Sequence, residues 1–91
     1  MKVKELLNEP SKWTKGTWAR NEKGEPVYES DCHAVCWCLI GAIRKCYGSE
    51  ETEEILKKVR SALKVQSISD WQDRPERNFY EIQKLAVDLD I

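Results

Sequence analysis

From Ala34 to Ile43 the chain runs ten residues without a charge, in a sequence of which 34% is charged. A chain of 91 residues has room for one modest core, so a stretch like this has one place to go. Ser30 or Asp31 offers an N-cap ahead of it and Gly48 a stop behind it, which predicts a helix from about Asp31 to Tyr47. At helical period Val35, Cys36, Leu39, Ile43 and Cys46 share a stripe flanked by Ile40, Ala42 and Tyr47, while Trp37, Cys38 and Gly41 lie on other faces. A helix apolar all round is buried all round, so 31–47 is expected to be the unbroken central helix. Gly41 in its interior costs ~1 kcal/mol relative to alanine. Close approach of another backbone, or of an indole such as Trp13 or Trp71, is the expected reason for it.

The segments around this run follow from local signals. Val3, Leu6 and Leu7 give the first eight residues a helical face, with Pro10 beyond its end. Residues 13–28 read as a two-stranded β-hairpin: aromatic and β-branched residues lead into the turn Asn21-Glu-Lys-Gly24, and Glu25-Pro-Val-Tyr28 returns antiparallel. Pro26 cannot donate to a ladder, which predicts an edge strand. Ser49 is expected to cap a third helix with an acidic first turn (Glu50, Glu51, Glu53, Glu54) and a core stripe of Ile55, Leu56, Val59, Ala62 and Leu63. Gln66 to Glu76 reads as a polar connection. Asn78, with Glu81 three residues on, caps a last helix whose inward face is Phe79, Ile82, Leu85, Ala86 and Leu89. The expected architecture is a single α+β domain over 1–91, mostly α, with about four helices around the central one.

Charge removes several functions. Fifteen Lys+Arg against 16 Asp+Glu leave a net charge of −1, which argues against general nucleic-acid binding, whose affinity comes from neutralising phosphates. No apolar run approaches the ~18 residues of a membrane span, and the first residues lack the apolar core of a signal peptide. A cytoplasmic location with free thiols is therefore the expectation for Cys32, Cys36, Cys38 and Cys46.

Cys32-His33-x-x-Cys36-x-Cys38 contains the residue types of a zinc site. On one continuous helix Cys32 and Cys36 share a face, while His33 and Cys38 point elsewhere, so four ligands do not converge and no metal is expected unless that helix is broken near Cys36. The same geometry turns His33, the one histidine, away from the Cys32 thiol. Cys32, His33 and Cys38 are thus weak catalytic candidates, with burial of the thiols as small apolar groups the better account. No cofactor loop and no Ser/His/Asp set is present.

Four tryptophans are the more informative excess. A two-stranded ribbon is unstable alone, so some of the indoles are expected to bind it to the helices, with Trp18 the one left exposed. In the loop before the last helix, Trp71 stands among Asp73, Arg74 and Arg77, and aromatic residues flanked by arginine often anchor interfaces. Trp18, Arg20, Trp71, Asp73, Arg74 and Arg77 are the expected binding residues.

Three segments in order carry a resemblance: Trp13-x-x-Gly16-x-x-Ala19-Arg20 through Gly24-Glu-Pro26-Val27, then Ala34-Val-Cys-Trp37-Cys38-Leu-Ile-Gly41-Ala42-Ile43, then Trp71-Gln72-Asp73-Arg74 through Arg77-Asn78-Phe79-Tyr80-Glu81-Ile82. Together they resemble DUF6197, a family of small bacterial and phage proteins of unknown function, from about Leu6 to Leu89. Gln72 stands where the family pattern has Asn, Asn78 where it has Thr, and Cys36 where it has Arg. The last departure weakens the case for an Arg-Trp-Cys unit as an anion site. The resemblance implies an architecture and no activity, substrate or cofactor. The residues themselves point to a small protein–protein binding or regulatory module without catalysis. The alternative is a thiol-dependent or metal-dependent enzyme using the cysteines of the central helix.

Overall fold

The computed structural model describes every residue from Met1 to Ile91. Five α-helices pack with a small antiparallel sheet: α1 (Val3–Leu6), β1 (Ala19–Arg20), β2 (Pro26–Val27), β3 (Cys36–Trp37), α2 (Leu39–Cys46), α3 (Ser49–Leu63), α4 (Ile68–Gln72) and α5 (Phe79–Leu89). A 3-10 turn, Pro10–Lys12, leads from α1 into the sheet. The mostly helical α+β class is as the sequence predicts.

The hairpin forms where its turn chemistry puts it. Asn21 Oδ1 accepts the Lys23 and Glu25 N–H groups at 3.0 Å each, and Gly24 supplies the positive φ (+79°) that closes the turn. Ala19 pairs with Val27 and Arg20 with Pro26, which leaves β2, with its proline, at the edge. The sheet is nevertheless three-stranded. β3 pairs antiparallel with the other side of β1, Ala19 opposite Trp37 and Arg20 opposite Cys36.

That third strand overturns the unbroken helix at 31–47. Residues 31–34 form a turn, in which Asp31 Oδ1 accepts the His33 N–H at 2.7 Å, and α2 starts at Leu39. A run apolar at every position satisfies the strand period as well as the helical one. The unpaired side of β1 offers Val35, Cys36 and Trp37, a β-branched and aromatic-rich triplet, backbone partners that a helix would leave unused. Val35 N–H bonds Arg20 O at 2.9 Å, and Cys38 N–H bonds Trp18 O at 3.1 Å. Val35, expected on the buried stripe, is 40% exposed as a result. Cys38 becomes the N-cap, its Sγ accepting the Gly41 N–H at 3.2 Å.

Shortened, α2 is still the central element, packing on α1, α3, α4 and β3. Leu39, Ala42 and Ile43 have no exposed surface, and they join Val3, Leu7, Ala19, Trp37, Val59 and Ile82 in a core of 14 buried side chains. α3 buries Thr52 and Val59 and half-buries Ile55, Leu56 and Leu63, while Ala62, expected inside, faces solvent. Gly48 and not Ser49 is the N-cap of α3. The connection at 66–76 contains α4, capped by Ser67 Oγ on Asp70 N–H at 3.2 Å, and it buries Ile68 and Gln72. A helix of five residues has too few apolar positions to show a period. In α5, Asn78 Oδ1 accepts the Glu81 N–H at 3.1 Å as expected, although the Glu81 carboxylate pairs with Arg77. Across the fold Lys2 and Lys4 both reach Asp90, at 2.7 and 2.6 Å, and hold its carboxyl down at about 2.

Gly41 meets a backbone, as its position in the run requires, and the backbone is that of Trp18. A Cβ at Gly41 would lie 2.1 Å from Trp18 O and 2.9 Å from its carbonyl carbon. Gly41→Ala is therefore expected to destabilise by about 1–3 kcal/mol, the range for overpacking, where helix propensity alone predicts a gain. Chemical denaturation of the two proteins measures the sign directly.

Candidate functional site

Two loops distant in sequence meet beside the sheet. Trp13 Nε1 donates to Gln72 Oε1 at 3.0 Å, Lys15 Nζ to Arg74 O at 2.5 Å, and Gly16 N–H to Asp73 Oδ1 at 3.2 Å. Gln72 is the hub of this seam. It is 3% exposed, its Oε1 also takes the Leu39 N–H at the start of α2 (2.7 Å), and its Nε2 donates to Asp73 Oδ1 at 2.5 Å. Arg77 stacks on Trp71 with its guanidinium carbon 3.9 Å from the ring centroid, donates to Trp71 O at 3.0 Å, and pairs with Glu81. Arg20 is spent in the same way, on Thr14 Oγ1, Gly24 O and Lys15 O at 3.0–3.1 Å. Of the six expected binding residues, Arg20, Trp71, Asp73 and Arg77 thus have their polar or aromatic groups engaged within the chain. Trp18, Asp73 and Arg74 are exposed residues, and the Trp18 ring is itself stacked by Arg44. Gln72→Leu would leave the buried Leu39 N–H without a partner, and a loss of about 1–3 kcal/mol is expected in urea denaturation.

Trp18 borders this seam, lining a small cavity with Gly16, Gln72 and Asp73, and its ring also faces the hairpin's second strand. Continuing the register of Ala19 with Val27 sets Trp18 opposite Tyr28, and their rings lie 6.2 Å apart, tilted by 42°. Trp18 is 39% exposed and Tyr28 71%, whereas Trp37 is buried and Trp13 and Trp71 are half-buried. With Thr17, Pro26, Val27 and Asp31 the two rings line a groove of about 400 Å³. The indole is held in place. Arg44 sits 4.4 Å from its centroid, and Arg44 Nε is fixed by Glu29 Oε1 at 2.8 Å, a carboxylate buried below the surface. Tyr28, Glu29 and Arg44 were not marked by the sequence. The hairpin register was the available signal for Tyr28; Arg44 and Glu29 are 15 residues apart, and only the fold brings them together.

The thiols separate by environment. Cys38, at the α2 N-cap, lies beneath a small cavity of about 220 Å³ shared with Gly16, Trp18, Ile40 and Gln72. Burial pushes its thiol up, and this outweighs the opposing pull of the Gly41 and Ile40 N–H groups. Burial raises Cys46 as well. Cys32 is exposed, and because the chain turns here and is not helical, its Sγ does reach His33, 3.5 Å from Nδ1. The helical geometry that kept them apart is absent. Asp31 Oδ1 approaches that same nitrogen at 3.3 Å. A proton relay needs the thiol and the carboxylate on different imidazole nitrogens. In this arrangement both compete for one.

Cys36 lies in β3 and Cys38 caps α2, so neither belongs to the 31–33 cluster, and the four-ligand Cys32/His33/Cys36/Cys38 set does not assemble. Iodoacetamide labelling of the native protein is expected to modify Cys32 first and Cys38 last, read by peptide mass mapping. Rapid labelling of Cys38 would show that its cavity opens in solution.

The description "Family of unknown function (DUF6197)" belongs to the family model that matches this chain, over residues 1–86. Neither a curated protein nor a solved structure matches it.

Proposed function

The chain belongs to the DUF6197 family, which carries no assigned activity, and from its surface we propose that it is a protein-binding module that docks through the Trp18–Tyr28 groove. One observation carries this reading: two large aromatic rings are exposed side by side on an edge hairpin, and one is stacked by Arg44, which is itself paired with Glu29. Aromatic residues held rigid before binding lose little entropy on docking, and tryptophan and tyrosine are enriched among the residues that dominate interface energies. Trp71, with its stacked Arg77, supports the fold beneath and is secondary to this contact. Arg74 is exposed beside the seam.

We place the module in a reducing, cytoplasmic setting, on the support of four unpaired cysteines. No helix is long and apolar enough to cross a membrane. The enzyme alternative draws on the Cys32–His33 contact, but the shared imidazole nitrogen gives that pair no separate base and orienting group.

A photo-crosslinker placed at Val27, in the groove, tests the reading in the native host. Recovery of one protein, followed by binding of the purified pair, is the expected result. Trp18→Ala and Tyr28→Ala are each expected to weaken that binding, with Trp18→Ala costing about 2 kcal/mol or more. Unchanged binding by Trp18→Ala, with the fold verified by circular dichroism, would sink the proposal.

A further inference from the structure

The turn at 31–34 brings together three metal-binding atoms of different chemical types, one from each of three consecutive residues. The ligand atoms of Asp31, Cys32 and His33 all lie within 4.8 Å of one another. Two of the three separations can be compared with an ion's requirements. A tetrahedral zinc ion with bonds of ~2.0–2.1 Å to N and O and ~2.3 Å to S sets its N and O ligands roughly 3.3 Å apart and its N and S ligands roughly 3.6 Å apart. His33 Nδ1 stands 3.3 Å from Asp31 Oδ1 and 3.5 Å from Cys32 Sγ. Only the third edge, from the thiol to the carboxylate, must close, and the side chains involved are free to turn: Cys32 is exposed and His33 is 80% exposed.

The backbone beneath is held on both sides. Asp31 N–H bonds Tyr28 O and Ala34 N–H bonds Asp31 O, each at 3.0 Å, and Val35 is tied to Arg20 in the sheet. Asp31 Oδ1 also receives the His33 N–H, which orients the carboxylate toward its neighbour. The tripod therefore stands on a rigid turn, and binding an ion would order little more than the Cys32 and His33 side chains.

From this geometry we infer that Asp31, Cys32 and His33 form a surface site for a zinc-class divalent ion, with one coordination position open. The donor set selects the class. One thiolate, one imidazole and one carboxylate suit zinc and its neighbours, whereas calcium and magnesium need six or more oxygens. Binding displaces the thiol proton to solvent and takes the neutral imidazole through Nδ1, with its proton on Nε2. The thiolate and carboxylate then balance the ion's two positive charges. Cys32 and His33 also line a groove of about 430 Å³ with Asn21, Glu22, Glu25 and Val35, which leaves room for water in the fourth position. The site is independent of the Trp18–Tyr28 reading and stands or falls separately.

Cobalt(II) titration of the reduced full chain tests it. The expected result is one equivalent bound, with a thiolate-to-cobalt charge-transfer band and the visible bands of a tetrahedral ion. Cys32→Ser removes the charge-transfer band, while Cys36→Ser and Cys46→Ser leave it intact. In zinc calorimetry His33→Ala and Asp31→Asn each weaken binding roughly tenfold or more, and binding strengthens as pH rises because a proton is released. Asp31, Cys32 and His33 lie outside the core, Cys36 and Cys46 are half-buried, and thermal melts of the metal-free variants verify that the fold is kept. An unchanged band in Cys32→Ser overturns the proposal. So does weak, non-stoichiometric uptake, which would mean an adventitious ion only.

Discussion

The carbonyl of Trp18 rests against the Cα of Gly41 and takes the N–H of Cys38, and the placement of every other element depends on that contact. It sets the backbone of the hairpin directly on the first turn of α2, at a separation that no side chain at position 41 would allow. Once β1 is held there, its free side meets the residues just ahead of α2, and Cys36–Trp37 pairs with it as a third strand. The helix can then begin only at Leu39. The indole of Trp37, carried into the core by that strand, ties its ring N–H to Glu29 O at 3.0 Å and closes the loop that leaves the hairpin.

Gln72 secures the same junction from the other side. Its carbonyl oxygen serves two donors, the Trp13 indole and the first N–H of α2, which would otherwise be among the unsatisfied groups of the helix terminus. A buried carboxamide with both ends engaged is costly to disturb, because each partner it loses stays buried without water. Around it the Asp73 carboxylate, the Arg77 guanidinium and the Arg74 carbonyl are hydrogen-bonded within the chain, while residues 73–76 stay exposed.

Two exposed features lie around residues 17–33. The aromatic groove and the Asp31-Cys32-His33 turn are neighbours, and Asp31 belongs to both. Both features stand on backbone pinned by the sheet, so their side chains are presented from a fixed base even though they are exposed. The Arg44–Glu29 pair adds the one long-range brace, holding the indole from α2.

Local rules made much of this legible before the fold was known. Asn21 and Gly24 dictate the turn, Pro26 an edge strand, Asn78 a cap, and the stripes of Val3, Leu6, Val59, Ile82 and Ala86 the inner faces, because each depends on neighbours a few residues away. The exposure of Trp18 and the tight packing at Gly41 were also readable, the first from the surplus of indoles and the second from the cost of glycine in a helix. Tertiary structure decided the rest. An uncharged run from Ala34 to Ile43 is equally compatible with strand and helix, and the choice was made by β1, a partner some 16 residues away that offered hydrogen bonds to one half of the run. The seam at Gln72, the Arg44 brace and the meeting of Cys32 with His33 follow from that choice. In each the partners are set by where the backbone turns, and in this chain the turn at 31–34 is a consequence of pairing across the sheet.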